Sequence, residues 1–267
     1  LRGGQRPDAR LGLLRRRVEV ALRSKGYPDP QVQVNSEIKR EQGKVDLDAP
    51  LRTYVPELQL KDEDAAARVT VLQLLNHTAG WEGDLMEDMG NGDDALEKYV
   101  TRMATIEQVT PLGETVSYNN ASLSLAGRVI EKVTGTTYEK ALAELVLEPL
   151  GLTSTWFFPN DIMTRRFAVG YTRHEDGTVT VARPWALPRS ATPAGGLSAN
   201  ARDQLAWARF HLGDGTAADG TRVLSEERLT AMQQPTADMR GSAIGDAVGM
   251  SWLIAEIGGV KTVAHGG

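Results

Sequence analysis

Ser117-Tyr118-Asn119-Asn120 stands between the turn Pro111-Leu112-Gly113 and a helical pattern in which Leu123, Val129, Ile130 and Val133 recur until Gly135 ends the run. A phenol and an amide two residues apart, in a turn feeding a helix, sit on rigid support. Tyr118 suits a proton shuttle, and the Asn120 amide suits a hydrogen bond to a substrate carbonyl. A plainer reading of Y-x-N alone is a buried tyrosine beside a turn asparagine. The residues further along the chain decide between the two.

The supporting elements are those of an ordinary globular protein. With 267 residues the chain can bury a substantial core, as one large domain or two lobes, and 41% apolar with 24% charged residues fits that class. No apolar run approaches the ~20 residues of a membrane helix, so no membrane span is expected. There are no cysteines, which excludes thiol nucleophiles, disulfides and Cys-based zinc sites. The net charge of −5 argues against a nucleic-acid binder. Residues 1–25 depart from that balance, with eight Arg/Lys against Asp8 and Glu19. Leu11, Leu14, Val18 and Leu22 there fall at helical spacing, as in a basic amphipathic helix, and a solvated surface helix is the plainer form of it. The start at Leu1 and the end inside a glycine pair read as a fragment, with no compartment legible.

Further along, Gln31–Val34 alternates like a short strand, and Gly43–Pro50 is an acidic turn. Thr70-Val71-Leu72-Gln73 has the pattern of a capping box, and Gly80 closes the segment after it. Residues 82–93 are acidic and glycine-rich, as in a mobile loop. Asp94 is placed to cap a helix carrying Leu96, Val100 and Met103, Thr136-Thr137-Tyr138-Glu139 has the pattern of a second box, and Ser198 and Ser225 are placed to cap later helices. Thr178–Val181, Met250–Ile257 and Val260–Ala264 read as strands, the last two separated by Gly258-Gly259. Helices clustered between residues 50 and 150, with strands near both ends, predict a helical lobe beside an α/β lobe.

Six segments then occur in order: Val45–Pro50, Leu74-Leu75-Asn76-His77-Thr78-Ala79-Gly80, Tyr118-Asn119-Asn120, Glu148–Leu152, Gly195-Gly196-Leu197-Ser198 and His265-Gly266-Gly267. Together they resemble the serine β-lactamase-like family of class C β-lactamases, DD-peptidases and family VIII carboxylesterases, over roughly residues 43–267. The resemblance implies an α+β fold of the β-lactamase/transpeptidase type, truncated at both ends. Its expected parts are a divergent basic segment (1–42), a mainly helical lobe (43–185) and the C-terminal part of the α/β lobe (186–267). It also implies acyl transfer to water through an acyl-serine, on a small ester, amide or β-lactam substrate, with no metal or organic cofactor. Tyr118 takes the proton-transfer role, and Asn120 with His265, Gly266 and Gly267 the substrate-binding role. His265 stands where many members hold lysine. Histidine is mostly neutral near pH 7, so this motif fits esterases and peptidases better than a dedicated β-lactamase. For His77 the expected role is structural, its side chain holding a turn.

The family nucleophile lies in S-x-x-K, which here occurs only as Ser36–Lys39. Ser36 stands seven residues before Gly43. The helix leading to the turn is about ten residues shorter than the resemblance implies, which at 1.5 Å per residue displaces the serine by roughly 15 Å. Ser36 is therefore expected out of hydrogen-bond reach of Tyr118. Two other readings follow: a non-catalytic remnant that binds acyl or peptide-like ligands, and an acidic scaffold whose basic N-terminal helix docks a partner. The sequence leaves the oligomeric state open.

Overall fold

The computed structural model describes residues 45–266. The readings on residues 1–44 and on Gly267 lie outside them. A 3₁₀ turn at Leu51–Thr53 leads to α1 (Glu63–Arg68), α2 (Val71–Leu75) and α3 (Ala95–Arg102). Next come α4 (Asn120–Thr134) and α5 (Tyr138–Leu142), the latter continuing into a π turn at Ala143–Leu147. A mixed stretch follows, with β1 (Thr155–Trp156), α6 (Pro159–Met163), β2 (Tyr171–Arg173), β3 (Val179–Val181), α7 (Thr192–Gly195) and β4 (Ser198–Ala199). Two helices, α8 (Ala201–Leu212) and α9 (Glu226–Met232), precede the strands β5 (Ala237–Ser242), β6 (Gly245–Val248), β7 (Leu253–Ile257) and β8 (Val260–Ala264). Those four strands form one antiparallel sheet in chain order, and β1 pairs with β4 and β2 with β3 in two small ribbons.

Helix α4 is the axis of the helical part. Asn119 caps its start through its side-chain oxygen, and Gly135 ends it at φ 71° with an N–H bonded to the Glu131 carbonyl. Ala121, Leu125, Val129 and Val133 recur every four residues and are buried in a core with Leu74, Trp81 and Val100. This face replaces the one expected from Leu123 and Ile130, which are only partly buried. The helix packs against α2, α3, α5 and α7. Gly127 permits the last contact, because a Cβ there would lie 2.3 Å from Pro193 Cγ. Arg128 is nearly buried and donates to Glu57, Glu97 and Glu131, so its guanidinium is paired rather than stranded. A second core, around Leu147, Leu150, Phe210 and Leu229, lies beneath α8 and α9.

The sheet delivers the chain's last described residues to the helical part. Gly258 and Gly259, at φ 61° and 80°, make the two-residue turn joining Ile257 to its partner Val260. Strand β8 then runs back and ends at Ala264, one residue before His265. The sheet is tied to the helices by Ser251, whose N–H donates to the Leu75 carbonyl at 2.7 Å.

Several local expectations hold. Thr70 and Gln73 form the capping box of α2, Ser225 caps α9, and the strands around Gly258-Gly259 are present. Three caps need correction. Asp94 occupies the N-cap position of α3 but makes no cap bond, its carboxylate pairing instead with Lys98 one turn on. Thr137, not Thr136, caps α5, and Glu139 is withdrawn to pair with Arg189. Asn200 caps α8, because Ser198 is committed to the ribbon with Trp156. The acidic stretch 82–93 has no helix or strand. It is nonetheless fastened by Glu87 to Arg102, and by the Glu87 and Leu85 carbonyls to Ser190 and Tyr99.

Leu125→Ala is expected to lower the unfolding free energy by roughly 2–5 kcal/mol, as a large-to-small change in a closed core. Leu145 is 57% exposed, and Leu145→Ala should change it by no more than about 0.5 kcal/mol. Denaturant unfolding of both variants checks the contrast.

Candidate active site

Y-x-N occupies three successive positions around the start of α4. Tyr118 precedes the cap, Asn119 is the cap, and Asn120 is the first helical residue. The Asn119 side chain is fully buried and spends every polar atom. Its oxygen accepts from Ser122 N at 2.8 Å and from the Trp81 indole N–H at 3.2 Å, while its amide nitrogen donates to the Trp81 carbonyl at 2.8 Å. The loop preceding Tyr118 is held in the same way. Ser117 N–H donates to the His77 carbonyl at 2.9 Å, and Ala121 N–H to the Gly83 carbonyl at 2.9 Å. Gly83 has no room for a side chain, since a Cβ would lie 2.7 Å from the Tyr118 carbonyl oxygen.

His77 takes the holding role expected of it. Its backbone is left-handed at φ 59°, and the side chain is 1% exposed. Nδ1 accepts from Asn119 N–H at 3.2 Å, which puts the ring proton on Nε2. Nε2 has no hydrogen-bond partner among the described residues. Burial, reinforced by His265, pushes the His77 pKa down to about 4, so the imidazole is neutral near pH 7. Its ring lies 4.8 Å from that of Tyr118, centroid to centroid.

Tyr118 and His265, 147 positions apart, meet at the mouth of this arrangement, with the phenol oxygen 3.4 Å from His265 Nε2. His265 Nδ1 donates to the Gly266 carbonyl at 2.6 Å, and this tautomer turns the Nε2 lone pair toward the phenol. The Tyr118 pKa is raised, first by burial and then by the charge of Asp84, so the phenol rests protonated. Asn120 Nδ2 donates to Asp84 Oδ1 at 2.8 Å. The result is a phenol poised against a proton-accepting nitrogen, with an amide two residues on.

The structure thus brings Tyr118 and His265 together and sets Asn120 at the helix start beside them. Gly266 is exposed, with open space where a side chain would be. Ser36, Lys39 and Gly267 lie outside the described residues. Sequence reasoning passed over Asn119, although an asparagine immediately before a helical repeat is a cap signal. It also passed over Asp84, for which no local signal exists.

Residues 38–267 match the family model Beta-lactamase. Penicillin-binding protein 4 of Amycolatopsis lactamdurans is 33% identical over 228 residues, covering 84% of this chain and 60% of that protein. The chain therefore spans only about three fifths of the length of that curated relative. Among solved structures, the octameric penicillin-binding protein homologue from Pyrococcus abyssi superposes with a TM-score of 0.67 at 23% identity, over 86% of this chain and 53% of that one. A class C beta lactamase from Rhodobacter sphaeroides gives 0.59 at 28% identity, over 82% and 57%.

The neutral, buried His77 has a thermodynamic signature. Its folded pKa lies below the ordinary 6.5, so between about pH 6.5 and 4 the unfolded chain binds more protons than the folded one. Stability from this group is fully present above pH 6.5 and is lost as pH falls toward 4, by a total on the order of 3 kcal/mol. Asparagine tolerates the left-handed backbone. His77→Asn should therefore fold, with a smaller fall in Tm across that window than the native chain. Thermal melts at half-unit pH steps read the difference.

Proposed function

Because the chain belongs to the Beta-lactamase family and has its α+β, β-lactamase/transpeptidase-like fold, we propose that it is a serine hydrolase of the penicillin-recognising type, transferring acyl groups from esters or amides to water through an acyl-serine. The observation that carries the reading is the meeting of Tyr118 and His265 at 3.4 Å across 147 residues of chain. A protonated phenol cannot itself take a proton from an attacking hydroxyl. It can do so by passing its own proton to His265 Nε2 in the same step, and the pair can then return a proton to the leaving group. Asn120 presents its amide to the acyl carbonyl, and the glycines after His265 leave room for a substrate backbone.

The candidate nucleophile is Ser36 of S-x-x-K, with Lys39 three residues on, although its short spacing to Gly43 is expected to keep it out of reach of Tyr118. Incubation with a fluorophosphonate, followed by peptide mass spectrometry, is therefore expected to leave Ser36 unlabelled, and an adduct on Ser36 would show that it reaches the cleft after all. An adduct on another serine would move the nucleophile. No adduct on the folded chain would favour the non-catalytic, ligand-binding remnant.

A histidine at position 265 lacks the fixed charge by which a lysine would hold a substrate carboxylate, which favours substrates without one. p-Nitrophenyl acetate should therefore be turned over faster than nitrocefin, and the reverse order would make the chain a β-lactamase. Tyr118→Phe removes the phenolic proton while keeping the ring against His77. It should lower the rate by about 10²–10⁴-fold, and an unchanged rate would exclude Tyr118 from the chemistry.

A further inference from the structure

Asn120 carries two amide hydrogens, and one of them is already given to Asp84 Oδ1 at 2.8 Å. The other remains for an acyl carbonyl. Carbonyl oxygen and Asp84 carboxylate would then both lie about 3 Å from one nitrogen, and so within about 5 Å of each other. Asp84 is exposed, and its second oxygen has no hydrogen-bond partner among the described residues. Most of the neighbouring acids are differently engaged, and Glu82, which forms no ion pair among the described residues, acts by its charge on Arg102. Glu87 is paired with Arg102, Asp93 with Arg189, Asp94 with Lys98, and Asp88 accepts from Gly90 N–H. Asp84 forms no ion pair with lysine or arginine among the described residues, and its charge acts on the Tyr118 phenol. A carboxylate without a counter-charge therefore borders the acyl side of the cleft.

We infer that Asp84 is a specificity-determining residue, selecting acyl donors that carry a cationic group, such as a free α-ammonium, next to the reacting carbonyl. The inference rests on the hydrolase reading for the placement of the carbonyl at Asn120. An ammonium on the α-carbon reaches Asp84 while the carbonyl stays on the Asn120 amide. A neutral acylamino group at that place forfeits the attraction, and a succinyl group meets repulsion. At a solvent-exposed site the preference for cation over neutral ligand should be about two- to fivefold, and it should shrink as salt is raised.

The test measures binding to the full chain, by calorimetry or chemical-shift titration, of leucinamide, N-acetyl-leucinamide and N-succinyl-leucinamide at low ionic strength. The expected order of affinity is cation, neutral, anion. Asp84→Asn retains an acceptor for Asn120 and removes the charge, so the ratio of cation to neutral affinity should fall to about one. Asp84→Lys should reverse the order. Equal affinities in the native chain, no measurable binding of leucinamide, or an order that persists in Asp84→Asn would overturn the inference. Since binding is read without turnover, a charge order that vanishes in Asp84→Asn supports the role of Asp84 even in a chain that forms no acyl adduct. An adduct without any charge order keeps the hydrolase and removes Asp84 from its specificity.

Discussion

The structure around the cleft depends on one buried amide. Asn119 has to satisfy a carbonyl-type oxygen and an amide nitrogen with no water to help, and it does so by joining two segments. Its oxygen closes the first turn of α4 while taking the indole proton of Trp81, and its nitrogen returns a bond to the Trp81 backbone. Leaving any of these groups unpaired costs about 1–3 kcal/mol each, so the arrangement is held as a unit. Tyr118 is the residue before this amide and Asn120 the one after. Neither can move without disturbing it, and the phenol is held in place without a strong bond of its own.

The second determinant is the distribution of charge. The two histidines flanking Tyr118 have different burdens. His77 is kept neutral by burial, and His265 offers a lone pair to the phenol. Among the described residues neither Tyr118 nor His265 is bonded to a lysine or arginine, and the charge that acts on the phenol is the carboxylate of Asp84. Elsewhere in the fold two arginines are committed to structure. Arg128 ties α4 to α3 and to the turn at Glu57 through Glu131, Glu97 and Glu57, and Arg189 clamps Glu139 and Asp93. These two arginines hold the scaffold together, while Tyr118 and His265 meet beside a single acid, Asp84.

Much of this was readable from residue order. Tyr118, Asn120 and His265 were identifiable because their types carry chemistry and their motifs recur in a recognisable sequence. The capping box at Thr70 and the glycine pair at 258–259 were readable because caps and tight turns are decided within a few residues. What escaped depends on distant segments. Asp84 acquires its importance only when the loop folds over the start of α4, and Gly83 only because the Tyr118 backbone presses on it. Ser198 satisfies the local rule for a cap, yet a strand partner 42 residues earlier, Trp156, claims it. Strands β5 and β6 were passed over because Ala237–Ser242 is mostly polar and exposed, so no apolar alternation marks it.

The bond from the Trp81 indole to Asn119 also gives the protein an optical reporter. Of five tryptophans, Trp81 alone is buried, at 1% exposure, whereas Trp156, Trp185, Trp207 and Trp252 each retain contact with solvent. The short-wavelength edge of the intrinsic fluorescence therefore belongs to the one indole bonded to the residue between Tyr118 and Asn120. Red-edge and blue-edge emission can be followed separately in the native chain, with no dye attached, and the blue edge distinguishes loosening of the helix start from motion anywhere else.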